Sequence, residues 1–102
     1  MKEYNKLVRD RIPEIIINNG AKPVTRTLTD EEYFSELNKK LGEEVAEYLE
    51  SKEIEELADI EEIIKAILDY QHVNENDFEQ MRLIKADKRG SFKKRIFLER
   101  EE

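Results

Sequence analysis

The chain has 102 residues, 42% of them charged and 38% hydrophobic, with no cysteine and a formal net charge of −7. This length predicts one domain over residues 1–102 with a modest core, which leaves association of several copies open. The composition excludes disulfides and thiolate metal sites, and no apolar run is long enough to span a bilayer.

The first eleven residues, "MKEYNKLVRDR", lack the apolar core of a secretory leader, so a cytoplasmic setting without a membrane partner is expected. Asp10 is placed to cap a helix running to about residue 19, with Pro13 in its first turn and Gly20 ending it. Residues 21–28, "AKPVTRTL", include the β-branched Val24, Thr25 and Thr27 and a proline, which predicts an extended segment. Thr29 and Glu32 form a T-x-x-E capping box, and a helix is expected over residues 30–49. "ESKE" reads as a turn, followed by a second long helix over residues 54–71. Asn74 caps a helix over residues 75–89 that Gly90 ends. Residues 92–98 lie in "SFKKRIFLE", which alternates like a short strand, and its candidate pairing partner is "VTRTL". The expected class is all-α: a bundle of four to five helices around an antiparallel hairpin, with short extended segments at 21–28 and 92–98. His72, the one histidine, falls in a turn and is read as surface. Tyr33, Phe34, Tyr48 and Tyr70 fall on apolar stripes and are read as packing residues.

Charge is divided unevenly along these elements. Residues 29–79 carry eighteen acids and four bases, or −14, while the flanks carry seven acids and fourteen bases, or +7. An acidic centre repels a nucleic-acid polymer. It suits either an ordinary solvated helix face or a metal ion with a small polyanionic ligand.

Helical wheels at about 100° per residue sort the acids. On the first long helix Leu37, Leu41, Val45 and Tyr48 define the apolar face; Glu36 and Glu50 lie opposite it. Glu44 falls beside Leu37 and between Leu41 and Tyr48, with Glu47 at the same edge one turn on. On the next helix Glu56 lands inside the stripe between Ile63 and Ile67, and Asp59 lands near its edge. An ionised carboxylate facing a core is costly unless it is paired or metal-bound. In an antiparallel hairpin, Glu44 lies across from Asp59 and Glu47 from Glu56, because both pairs share a midpoint between Ser51 and Lys52. Each i, i+3 pair spans about 4.5 Å along its helix, so Glu44, Glu47, Glu56 and Asp59 can converge within one turn. Four such groups raise one another's pKa values, and a divalent cation resolves the repulsion. Oxygen-only ligands favour Mg2+, or Mn2+. Ion pairs with lysine or arginine from the flanks are the alternative.

The pattern E-E-x-x-E (Glu43, Glu44, Glu47) followed by E-x-x-D (Glu56 to Asp59) resembles the MazG-like all-α nucleoside triphosphate pyrophosphohydrolase superfamily. "YNKLVRDRIPEII" and "KADKRGSFKKRIFL" resemble the flanking segments of its small single-domain members, so the likeness spans most of the chain. The resemblance implies that Glu44, Glu47, Glu56 and Asp59 bind Mg2+ and that Glu43 and Glu47 are the candidate catalytic carboxylates, although Glu43 points away from the stripe. It implies hydrolysis of a nucleotide to the monophosphate and pyrophosphate, in the manner of nucleotide-pool house-cleaning, by a homodimer or homotetramer. Phosphoribosyl-ATP is an alternative substrate. A non-catalytic helical interaction protein is the alternative of another class. Among the bases, Arg9, Lys85, Lys88 and Arg89 are the candidates for holding the phosphates; the other reading of the last three is a cation-decorated helix C-terminus. No glycine-rich phosphate loop is present, which excludes a P-loop mechanism.

Overall fold

The computed structural model describes residues 2–102. Among these, four helices form and no strand does: α1 (Ile12–Asn18), α2 (Asp30–Ser51), α3 (Ile54–Tyr70) and α4 (Glu75–Arg89). The fold is all-α.

Local chemistry accounts for the helix ends. The capping box at α2 is complete: the Glu32 N–H donates to Thr29 Oγ1 at 3.3 Å, and the Thr29 N–H donates to Glu32 Oε1 at 3.1 Å. Arg26 grips the same carboxylate through two nitrogens at 3.2 and 3.1 Å, and this bond holds the Glu32 carboxyl down at about 2. Asn74 caps α4 by accepting from the Asn76 N–H at 2.7 Å, and Lys88 and Arg89 occupy its last turn, where the helix dipole favours cations. Gly20 and Gly90 follow α1 and α4 at φ 87° and 85°, backbone angles that an L side chain resists.

Two expectations are corrected. Asp10 does not cap α1: Arg11 is the capping residue, in a helical conformation, with no side-chain cap bond, while Pro13 does sit in the first turn. The Asp10–Arg11 stretch is already turning, so the Asp10 side chain lies one residue too early to meet the free N–H groups. Residues 92–98 do not pair as a strand with residues 24–28. The Arg95 N–H donates to the Phe92 carbonyl at 3.1 Å, and Arg95 has φ 59°. This local turn breaks the alternation that an extended strand requires.

The packed unit is the antiparallel α2–α3 hairpin, among the described residues the one helix pair that meets along its length. Its turn is short. Lys52 ends α2 in the left-handed conformation, its N–H donating to the Tyr48 carbonyl at 2.7 Å. The Glu53 N–H then donates to Ser51 Oγ at 3.1 Å. At the open end Phe34 stacks on Tyr70 at 4.9 Å and Tyr33 meets Tyr70 edge-on at 5.9 Å, so the aromatics pack as expected. The core is thin: among the described residues the buried hydrophobic ones are Leu37 and Ile63, one from each arm. The Cα radius of gyration is 18.3 Å and the long axis 61 Å, against about 13 Å for the radius of a compact domain of this length.

Candidate metal centre

The hairpin register places the acids. Glu44 on α2 and Glu56 and Asp59 on α3 each offer a carboxylate oxygen, and the three oxygens lie within 4.8 Å of one another. All three side chains are half-buried. Glu47 is exposed, and its charge lies close enough to bear on Glu44 and Glu56. Three of the four expected ligands therefore meet on one face of the hairpin, and Glu47 stays outside that group.

Their environment disfavours charge. Burial raises the pKa of Glu44, and the neighbouring Glu47 and Asp59 charges raise it further, with Lys40 opposing. Burial likewise raises Glu56, followed by repulsion from Glu47. Glu44 Oε2 and Glu56 Oε2 are both shut off from solvent and accept no hydrogen bond. With every carboxyl ionised these two oxygens have no donor, which is costly unless a proton or a cation supplies one. The donor set is all oxygen, which fits a hard divalent ion such as Mg2+ or Mn2+.

One cation from the chain already reaches the cluster. Arg9 Nη2 donates to Asp59 Oδ1 at 2.8 Å, bridging the N-terminal segment to α3. Both side chains remain about half exposed, at 57% and 42%, so the pair is worth at most about 1 kcal/mol. The guanidinium competes with a metal ion for the Asp59 carboxylate. Arg9→Ala is therefore expected to tighten Mn2+ binding about two- to five-fold in titration calorimetry. An unchanged or weaker affinity would show that Arg9 does not compete for Asp59.

The remaining candidates lie elsewhere. Glu43 is exposed and lines a shallow cleft with Lys6, Leu7, Glu36, Lys39 and Lys40, because one residue along a helix turns the side chain about 100° from Glu44. Lys85, Lys88 and Arg89 are exposed on α4, which does not pack along the hairpin of its own chain. Arg82, by contrast, is paired with Glu79 on its own helix. Sequence reasoning passed over Lys40. Its position one turn before Glu44 was the available signal, since i and i+4 side chains are neighbours on a helix.

The chain matches no family model and no solved structure. It is 62% identical over 42 residues to an uncharacterized protein of Mycolicibacterium smegmatis; the match spans 41% of this chain and 43% of that protein.

Proposed function

We propose that the chain is a Mg2+-dependent nucleotide pyrophosphohydrolase of the MazG-like type, cutting a nucleoside triphosphate or related nucleotide into the monophosphate and pyrophosphate. The observation that carries the reading is the convergence of the Glu44, Glu56 and Asp59 oxygens, two of the cluster's oxygens being buried without a donor. The resemblance of E-E-x-x-E and E-x-x-D supplies the reaction. A bound Mg2+ or Mn2+ would neutralise phosphate charge and orient the attacking water. Glu44, Glu56 and Asp59 would hold the ion. Glu47, at the open edge of the cluster, takes up the proton of that water. Arg9 exchanges Asp59 for a substrate phosphate, a partner whose charge its planar donors fit. The thin core and the exposed apolar residues support assembly as a homodimer or homotetramer. The Arg9–Asp59 pair also favours a second reading, in which the acids merely pair with bases in a non-catalytic helical protein.

Two measurements separate these readings. Purified protein with Mg2+ is expected to release pyrophosphate from at least one member of a panel of ribo- and deoxyribonucleoside triphosphates and phosphoribosyl-ATP. No pyrophosphate from any of them would remove the catalytic reading. Thermal melts address the metal. Glu44 and Glu56 have raised pKa values, so the folded state holds their protons more tightly than the unfolded state. Metal-free stability should therefore fall as pH rises from the ordinary carboxylate range through the raised values. Mg2+ or Mn2+ competes with those protons, so its stabilisation should grow over the same window, reaching about 2.7 kcal/mol at a hundredfold excess over Kd. Melts insensitive to either ion at every pH favour the non-catalytic reading.

A further inference from the structure

We propose that residues 6–9 form a strap across the hairpin that is fastened while the acid cluster is empty and released when Asp59 turns to a divalent cation. The strap meets both arms of the hairpin within four residues. At one end Lys6 and Leu7 line the shallow cleft on α2 with Glu36, Lys39, Lys40 and Glu43. At the other, Arg9 Nη2 donates to Asp59 Oδ1 on α3 at 2.8 Å. Three extended residue steps span about 10 Å, and two packed helix axes lie about 8–10 Å apart. Residues 6–9 are therefore long enough to bridge α2 to α3 and no longer. Leu7 and Val8 are half-buried, while residues 2–6 are exposed. Asn5, at φ 45°, turns the chain just before the strap begins. Among the described residues no backbone hydrogen bond ties residues 6–9 to α2 or α3. The Arg9–Asp59 pair is thus the polar fastening, and Leu7 and Val8 supply the apolar contact.

The release of the strap rests on the metal site proposed above; its fastening in the empty protein does not. Asp59 is both the fastening point and one of the three carboxylates that converge. With its charge drawn to a divalent ion, Asp59 attracts Arg9 less, and the guanidinium then faces a second cation that repels it. Because both partners are half exposed, the pair biases docking of the strap by about fivefold at most. That is a switch of small amplitude, which a bound cation is able to throw. Arg9, once free, has its planar donors unfilled beside the cluster, and an anionic ligand with two oxygens fits them. The strap therefore closes on Asp59 in the empty protein, opens with the cation alone, and closes again over a polyphosphate. Cation before polyphosphate is the order this imposes.

The test is backbone 15N relaxation of the whole chain, with titration calorimetry on the same samples to read Mg2+ binding. Mg2+ is diamagnetic, so the signals near the cluster survive. Order parameters at Leu7, Val8 and Arg9 are expected near the rigid value of about 0.85 without metal, and to fall toward about 0.6 with saturating Mg2+. Inorganic pyrophosphate, added with free Mg2+ held saturating, should restore them. Arg9→Ala should start at the low value and respond to neither addition, with α2 and α3 as rigid as in the parent. Arg11→Ala, which removes a cation paired with Glu14 on its own helix, should respond as the parent does. Mg2+ that binds by calorimetry yet leaves residues 7–9 equally ordered overturns the strap and spares the metal site. No Mg2+ binding overturns the metal site and the release with it. An Arg11→Ala chain as loose as Arg9→Ala, or no recovery with pyrophosphate, overturns the strap alone.

Discussion

Replacing Glu56 by Gln is expected to abolish divalent-cation binding and pyrophosphate release together, while leaving the metal-free protein at least as stable as the parent. The two halves of that outcome come from the same carboxyl. Glu56 lies in the apolar stripe of α3, its Oε2 shut away without a donor, and burial and Glu47 both push its pKa up. The amide keeps the shape and removes the charge that burial penalises, so the metal-free hairpin loses nothing. The amide also offers a metal a far weaker ligand. Losing even a residue that merely supports a metal ligand costs about 10- to 100-fold in affinity or activity, so loss of the ligand itself should exceed that. Calorimetry with Mn2+, pyrophosphate release and a metal-free melt read the three quantities separately. A variant that binds Mn2+ normally would place the ion elsewhere. A variant that melts far below the parent would show that Glu56 is held by a favourable partner rather than by strain.

Leu37→Ala should be the most damaging apolar substitution in the chain. Leu37 is 3% exposed and Ile63 7%, and among the described residues these two side chains are the buried hydrophobic core. Truncating a buried leucine to alanine costs about 2–5 kcal/mol through lost transfer energy and the cavity left behind. In a domain of this size each kcal/mol lowers Tm by about 4–8 °C. Val24→Ala, at a position 93% exposed, should change stability by less than about 0.5 kcal/mol. Equal melting curves for the two variants would mean that the hairpin is not held by the Leu37 contact.

The hairpin was legible in the sequence because two independent signals agreed. Apolar spacing identified the inward faces of residues 30–49 and 54–71, and the midpoint between Ser51 and Lys52 aligned the acids. The structure extends α2 by two residues to Ser51 and places the turn at Lys52 and Glu53, and still brings Glu44 to Glu56 and Asp59. What escaped was set by tertiary context. "SFKKRIFLE" has strand-like alternation, but a strand needs an edge to pair with, and the turn from Phe92 to Arg95 closes first. Asp10 is a sound capping residue by type, yet capping depends on a one-residue choice of where the helix begins. Within the cluster, Glu44, Glu56 and Asp59 were found from their wheel positions. The reach of Arg9 to Asp59 across fifty residues has no signature in local spacing. The separation of α4 from the hairpin has none either, since amphipathic spacing states that a face will be covered and not by which chain.

The short turn at Lys52 also meters the acid cluster. Inserting or deleting one residue there would rotate every side chain of α3 by about 100° relative to α2 and slide it by about 1.5 Å. Glu56 and Asp59 would swing out of reach of Glu44, while the helical content and the overall charge stayed the same. The eight residues between Glu47 and Glu56 thus act as a spacer whose length is more constrained than its spelling. Exposed positions within it, such as Glu50 and Glu55, are free to drift; the count is not.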